Sequence, residues 1–202
     1  MMQWSYDTLL KWGTDELTAH DVENASLDAW YLLEHIYGIS RVDFLMRRSD
    51  RFDAAQMEKS AAYQTLIRQR SEGCPVQYLT GSTEFMGLPF FVNEHVLIPR
   101  QDTEVLVETA LSMMKPGCRL LDMCTGSGCI VLSLAKLGTV TWGIGADISE
   151  EALKVAERNR ENLGLSQVKL VHSDLFESVE GVFDMIVSNP PYIPTDDIED
   201  LM

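Results

Sequence analysis

An asparagine followed by two prolines and a tyrosine stands near the end of the sequence. Asn189, Pro190, Pro191 and Tyr192 directly follow the apolar run FDMIVS. Neither proline can donate an N–H to a strand ladder, so the strand must end here. An ordinary Asn-Gly or Pro-Asp turn would end it equally well. The choice of these residue types therefore suggests a functional site at this position. The upstream segments indicate what kind of site it is.

A glycine-containing turn between a predicted strand and helix is the second chemical signal. In LLDMCTGSGCI, Gly126 and Gly128 let the backbone approach a ligand closely. The helix that follows directs its N–H groups and its positive dipole at a negative group. Taken alone, such glycines are equally consistent with a tight turn that binds nothing. The dinucleotide fingerprint G-x-G-x-x-G is absent, because Ile130 and Val131 fill the place of a third glycine.

Asp147 changes the balance between these two interpretations. It ends the second predicted strand, 21 residues after Gly126. A carboxylate at a distance of about 20 residues accepts hydrogen bonds from the ribose hydroxyls of a nucleoside. Asp147 could instead cap the next helix, but Ser149 is better placed to do so. The turn and the carboxylate together predict a nucleoside cofactor, without saying which one.

Strands and helices alternate from residue 99 onward. The predicted strands are CRLLDMC, VTWGIGADI, VKLVHSDLF and FDMIVSN, and the predicted helices are GSGCIVLSLAKLG and SEEALKVAERNRENLG. Alternation of this kind builds a parallel, doubly wound α/β sheet. We therefore assign residues 99–202 to an α/β domain that carries both chemical signals.

The first 98 residues have a different pattern. Residues 1–76 predict a small helical bundle, in which one helix ends at Gly38 and the next is capped by Ser40. Residues 77–98 contain two short β-type runs around Met86-Gly87-Leu88-Pro89, which predicts a β-hairpin connector.

Composition excludes several classes of protein. Of 202 residues, 46% are hydrophobic and 23% are charged, which is typical of a globular protein with a sizeable core. The sequence has no apolar run long enough to span a membrane, and it does not begin like a signal peptide. The four cysteines lack metal-ligand spacing, so we expect no metal and a cytoplasmic protein with reduced thiols. A net charge of −15 argues against nucleic-acid binding.

Taken together, these segments resemble the HemK/PrmC family of S-adenosylmethionine-dependent methyltransferases. The resemblance rests on GSTEFMGLPFFVNEHVLIPRQDTEVLVE, LLDMCTGSGCI, ADISEEALKVAERN, SDLF and IVSNPPYI, and is strongest from Gly81 to Ile193. NPPY is shared with adenine methyltransferases of DNA, so PRQDTE and the hairpin before it are what indicate this family. The resemblance implies a Rossmann-like domain, S-adenosyl-L-methionine as cofactor, and methylation of the glutamine amide in the Gly-Gly-Gln motif of peptide-chain release factors.

The resemblance implies that the NPPY residues bind and orient the substrate amide. Asn189 and Pro190 would accept hydrogen bonds from the amide through a side-chain and a backbone carbonyl, and would align its nitrogen with the sulfonium methyl group. Pro191 would stiffen the loop, and Tyr192 would offer the planar amide a flat face. Residues 1–76 would recognise the release factor.

The resemblance also implies a cofactor site along the strand ends. The turn would hold the methionine moiety, one carboxylate the ribose, and the segment after the third strand the adenine. The residues concerned are Cys124, Thr125, Gly126, Ser127, Gly128, Asp147, Asp174, Leu175 and Asn189.

Two features depart from the family's pattern. Cys124 stands where the family usually has glycine, and we expect binding to survive if φ at Cys124 is negative. Such domains usually have seven strands, whereas the sequence predicts four. We therefore expect a C-terminally incomplete domain, with self-association or disorder of residues 188–202 and no activity in the 202-residue chain.

Two alternatives remain open on the sequence alone. An adenine methyltransferase acting on DNA or RNA would share NPPY, but it needs a basic groove and a recognition domain that the sequence does not show. A fragment that binds the cofactor or a protein partner without turnover would agree with the small number of strands.

Overall fold

The structure is a computed structural model that describes residues 3–191. The chain divides into two compact units, Met1–Gly81 and Ser82–Met202, and each unit has its own hydrophobic core. Within the described residues, no helix is both long and apolar enough to cross a membrane.

The first unit is helical. Its helices are α1 (Tyr6–Ala19), α2 (Ala25–Tyr37), α3 (Arg41–Arg47), α4 (Ala54–Ser71) and α5 (Val76–Thr80). Gly38 caps α2 in the left-handed conformation, with φ of 63°, and the Ser40 hydroxyl accepts the N–H of Asp43 to cap α3. Both caps confirm the sequence predictions. Such caps can be predicted because each depends only on residues within one turn of the helix end.

Close packing of α1 against α4 forms the centre of this unit. Tyr63 is fully buried, and its hydroxyl donates to the backbone carbonyl of Ala29 at 3.2 Å. A Cβ atom on Gly13 would lie only 2.1 Å from the Tyr63 oxygen, so α1 must present a residue without a side chain here. The helical bundle that the sequence predicts is therefore a packed one.

The second unit begins with a β-hairpin. Strands β1 (Thr83–Phe85) and β2 (Leu88–Phe90) pair antiparallel around Met86 and Gly87. Both turn residues have positive φ, 53° and 70°, which is the geometry of the two-residue turns that match strand twist. The predicted hairpin is confirmed.

A parallel sheet and its helices follow in the described part of this unit. In chain order they are α6 (Gln101–Met113), β3 (Cys118–Met123), α7 (Cys129–Leu137), β4 (Val140–Asp147), α8 (Glu150–Leu163), β5 (Val168–His172) and β6 (Met185–Ser188). The order across the sheet is β5-β4-β3-β6, and all three pairings are parallel. The predicted α/β fold is confirmed, but helix α6 was not predicted from the sequence.

The sheet order determines where a ligand can bind. Strand β3 lies between β4 and β6, so the chain leaves β3 first to one side and later to the other. Ligands of open parallel sheets bind beyond the carboxyl ends of the strands where the connections diverge in this way. A ligand-binding site is therefore expected among the residues that follow β3, β4, β5 and β6.

Candidate active site

The turn after β3 is built from residues with left-handed backbone. Cys124, Gly126 and Gly128 have φ of 61°, 55° and 78°. A Cβ atom on Gly126 would meet nothing within 4 Å, whereas one on Gly128 would lie 2.9 Å from the Leu132 side chain. Glycine is thus needed at position 126 because of the left-handed backbone, and the absence of a side chain there leaves open space for a ligand. At position 128, which caps the start of α7, glycine is needed both for the backbone and for close packing against Leu132.

Cys124 does not have the negative φ under which binding was expected to survive. Its φ of 61° lies in the region that glycine adopts most easily, so Cys124 retains the backbone shape of a glycine turn at a conformational cost. The backbone path is preserved although the residue type is not. The turn can therefore approach a ligand as a glycine turn does.

This backbone conformation makes a testable difference between two substitutions. Cys124→Val should lower the free energy of unfolding by about 1–2 kcal/mol, because a β-branched side chain fits left-handed backbone poorly. Cys124→Gly relieves that strain but raises the chain entropy of the unfolded state, so it should change stability by less than about 1 kcal/mol. Urea unfolding of both variants measures the difference. Equal losses in the two variants would contradict a positive φ at this position.

Asp122 supports the turn from inside the protein. Its side chain is fully buried, and Oδ2 accepts the Thr125 hydroxyl at 2.7 Å and the Val131 N–H at 3.2 Å. Burial raises the pKa of the Asp122 carboxyl to about 7. Among the described residues, Oδ1 has no hydrogen-bond partner. Asp122 was not predicted as a site residue, although a carboxylate near the end of an apolar strand is unusual enough to indicate a specific role.

Asp147 connects the turn to the next strand end. Its Oδ2 accepts the Gly126 N–H at 2.8 Å and its Oδ1 accepts the Ser149 N–H at 2.9 Å. Each carboxylate oxygen can accept a further hydrogen bond, and the residue is only partly buried. Ser149 caps α8 through the N–H of Ala152, as the sequence predicted. Asp147 is therefore placed to accept hydroxyl donors from a ligand while it holds the turn.

The segment after β5 brings apolar side chains to the same edge of the sheet. The N–H of Ser173 donates to the backbone carbonyl of Asp147 at 3.0 Å, which fixes the start of this segment beside β4. Asp174, Leu175 and Phe176 follow, and all three are exposed. Ile148, which follows β4, is also exposed. These apolar side chains at neighbouring strand ends can cover a flat ring such as a purine.

Asn159 ties the turn to the segment after the hairpin. It is fully buried on α8, where its Nδ2 donates to the backbone carbonyls of Ser127 at 2.9 Å and Phe91 at 3.0 Å. Its Oδ1 accepts the Phe91 N–H at 2.7 Å. Sequence reasoning missed this residue, although a polar residue within the buried stripe of α8 was a detectable signal.

Asn189 lies at the end of β6, next to the same turn. The hydroxyl of Ser188 donates to the backbone carbonyl of Met123 at 2.8 Å, which joins the two strand ends. Asn189 is half-buried, and its Nδ2 donates to the Thr103 hydroxyl at 3.3 Å. Among the described residues, no hydrogen bond engages the Asn189 Oδ1. Pro190 and Pro191 are exposed, and Tyr192 lies outside the described residues.

The structure thus places the predicted residues at the ends of adjacent strands. The turn 124–128 and Asn189 follow β3 and β6, Asp147 ends β4, and Asp174 and Leu175 follow β5. A carbonyl acceptor on Asn189 stands beside a turn with open space and a carboxylate with spare acceptor capacity. This arrangement can bind a nucleoside-containing ligand and present an amide or amino group to it.

Two protein-family models match this chain. The family model described as "Methyltransferase small domain" matches residues 100–200, and the one described as "PrmC N-terminal domain" matches residues 8–81. The domain matched over residues 100–200 is that of a methyltransferase.

Relatives then identify the family. The release factor glutamine methyltransferase of Geobacter sulfurreducens is 41% identical over 200 residues, which cover 98% of this chain and 69% of the relative. That of Leptospira interrogans is 42% identical, with 96% of this chain and 70% of the relative covered. The ribosomal protein L11 methylase structure from Lactobacillus delbrueckii is 30% identical, has a TM-score of 0.43, and covers 54% of this chain and 55% of that chain. The chain belongs to the release factor glutamine methyltransferase family, which confirms the resemblance to HemK/PrmC.

The proposed ribose contact of Asp147 predicts a defect in cofactor binding. Asp147→Ala should weaken the binding of S-adenosylmethionine by about ten- to 150-fold, because a hydrogen bond to a charged group contributes ~1.5–3 kcal/mol. Calorimetry measures the affinity, with Glu177→Ala as a control that removes an exposed carboxylate from the segment after β5. Unchanged affinity in Asp147→Ala would exclude the ribose assignment.

Proposed function

We propose that the protein is an S-adenosylmethionine-dependent protein-glutamine N-methyltransferase. It transfers a methyl group to the side-chain amide of the glutamine in the Gly-Gly-Gln motif of peptide-chain release factors. The observation that carries this proposal is the 41% sequence identity, over 98% of this chain, to a release factor glutamine methyltransferase. The position of Asn189-Pro190-Pro191 at the end of β6, beside the turn after β3, supports it.

The residues of the turn and of β4 fit the proposed cofactor. When bound, S-adenosyl-L-methionine supplies an electrophilic methyl group on a positively charged sulfur. Asp147 would accept hydrogen bonds from the ribose hydroxyls with the acceptor capacity that Gly126 and Ser149 leave unused. The turn 124–128 would lie against the methionine moiety, where Gly126 leaves open space. Asp174 and Leu175, exposed after β5, would contact the adenine.

Asn189 and Pro190 would bind and orient the amide of the substrate. An amide nitrogen is a poor nucleophile, because its lone pair is delocalised into the carbonyl group. Oδ1 of Asn189 and the backbone carbonyl of Pro190 can accept the two N–H groups of that amide. These hydrogen bonds strengthen as the nitrogen gains positive charge, so they stabilise the transition state more than the ground state. Tyr192 would complete the site with a flat face against the amide plane.

The proposal also covers the partners and the location of the protein. The helical residues 1–76 would recognise the release factor, which is a protein much larger than its Gly-Gly-Gln motif. We propose that no nucleic acid or membrane is involved and that the protein acts in the cytoplasm, where its substrate is used. The net charge of −15 supports the absence of nucleic acid, because phosphate binding needs a basic surface.

A methyl-transfer assay with labelled S-adenosylmethionine tests the proposal. A release factor, the same factor with its Gly-Gly-Gln glutamine replaced by alanine, and adenine-containing DNA or RNA are offered separately. We expect label on the intact release factor only, a result that would also overturn the expectation from the strand count that the 202-residue chain is inactive. Labelled nucleic acid would favour the adenine methyltransferase alternative. Cofactor binding without label on any substrate would favour the non-catalytic fragment.

A further inference from the structure

The segment PRQDTE indicated the family from the sequence, and the structure shows what two of its residues contact. Thr103 and Glu104 lie in the first turn of α6. The Thr103 hydroxyl accepts the Nδ2–H of Asn189 at 3.3 Å, across a separation of 86 residues in the sequence. The Glu104 carboxylate accepts the N–H of Met86 at 2.7 Å. The start of α6 is therefore bound to the hairpin turn on one side and to the asparagine after β6 on the other.

The helix that carries Thr103 is held in place by further contacts. Met86 occupies a turn position with φ of 53°, and its N–H is held by Glu104. Val107 and Ala110, further along α6, are buried in the core of the second unit. Thr103 itself is half-buried, so its hydroxyl is presented from a helix that is fixed at both its first turn and its middle.

We propose that Thr103 is a positioning residue that sets the orientation of the Asn189 side-chain amide. This inference rests on the proposed role of Asn189 in holding the substrate amide. The NH2 and carbonyl groups of an asparagine amide diverge from the same planar carbon, so a hydrogen bond from Nδ2 to Thr103 places Oδ1 on the other branch of the amide. Oδ1 is then available to accept a hydrogen bond from the substrate. Without the hydroxyl, the amide can rotate about its terminal bond, and the acceptor is correctly placed only part of the time.

The test compares substitutions that differ only in the hydroxyl group. Thr103→Val keeps the shape and removes the hydrogen bond, whereas Thr103→Ser keeps the hydroxyl. Thr109→Val is a matched control, because Thr109 is an exposed threonine on the same helix whose hydroxyl donates to Val105. We expect Thr103→Val to lower kcat by about three- to tenfold, the factor for losing one neutral hydrogen bond. The affinity for S-adenosylmethionine, measured by calorimetry, should not change. Thr103→Ser and Thr109→Val should keep kcat within about twofold of the parent protein.

A second experiment separates this inference from the role of Asn189 itself. In an Asn189→Ala background, Thr103→Val should cause no further loss of kcat, since no amide remains to be oriented. The side-chain NH2 signals of Asn189 in nuclear magnetic resonance spectra should shift in Thr103→Val and not in Thr109→Val. This measurement detects a change at the Asn189 amide without depending on enzyme turnover.

Three results would overturn the inference. Full activity of Thr103→Val would do so, and so would an equal loss of kcat with and without Asn189. If Asn189→Ala alone left methyl transfer unchanged, the proposed role of Asn189 would fail together with the inference. The first of these results, if Asn189→Ala does lose activity, would overturn the inference and leave the proposed function standing.

Discussion

Asn189→Ala should reduce methyl transfer by about 10²-fold or more, while the affinity for S-adenosylmethionine falls much less. In the proposed mechanism, Oδ1 of Asn189 accepts a hydrogen bond from the N–H of the amide nitrogen that gains charge in the transition state. Removing one such preorganised partner costs ~2.7–4 kcal/mol of transition-state stabilisation. Single-turnover kinetics measure the chemical step, and calorimetry measures the affinity for the cofactor.

Asn162→Ala provides the matched control for this prediction. Asn162 is an exposed asparagine on α8, and its truncation should leave both the rate and the affinity unchanged. If Asn189→Ala lost binding and turnover to the same extent, Asn189 would hold the cofactor rather than the substrate amide.

Asn159→Leu should cause the largest loss of stability among the substitutions considered. Leucine fills a similar volume but leaves three backbone groups without their partner, namely the buried carbonyl of Ser127 and the part-buried N–H and carbonyl of Phe91. An unsatisfied buried polar group costs about 1–3 kcal/mol, so the free energy of unfolding should fall by about 3–5 kcal/mol. Urea unfolding of the protein measures this change.

The same substitution should also disturb the turn that is proposed to bind the cofactor. Ser127 lies at the centre of residues 124–128, so its amide and that of Gly128 should exchange hydrogen faster in Asn159→Leu. Asn162→Leu, on the exposed side of α8, should change stability by less than about 0.5 kcal/mol. Equal effects of the two substitutions would mean that Asn159 does not brace the turn.

The parts of the fold that the sequence predicted correctly depend on short-range rules. The caps at Gly38, Ser40 and Ser149 each involve groups within one helical turn. The hairpin turn at Met86 and Gly87 is likewise local. The position of Asp147 could be predicted from spacing, because neighbouring parallel strands of similar length bring their carboxyl ends to one edge.

The parts that the sequence did not predict depend on distant partners. Asn159 and Phe91 are separated by 68 residues, and Asn189 and Thr103 by 86, so no local pattern marks these pairs. The positive φ at Cys124 is likewise not marked by the residue type, because left-handed backbone is uncommon for residues other than glycine. The Asp122 hydrogen bonds to Thr125 and Val131 fix the path of this turn, and that path requires left-handed backbone whichever residue is present.

Tandem mass spectrometry of a release factor treated with the protein and S-adenosylmethionine tests whether the protein methylates the Gly-Gly-Gln glutamine. We expect the peptide containing Gly-Gly-Gln to gain one methyl group, and the fragment ions to place that group on the glutamine side chain. The same peptide from a reaction without the protein should be unmodified. A release factor whose Gly-Gly-Gln peptide stays unmodified, or one methylated on a different residue, would contradict the proposed function.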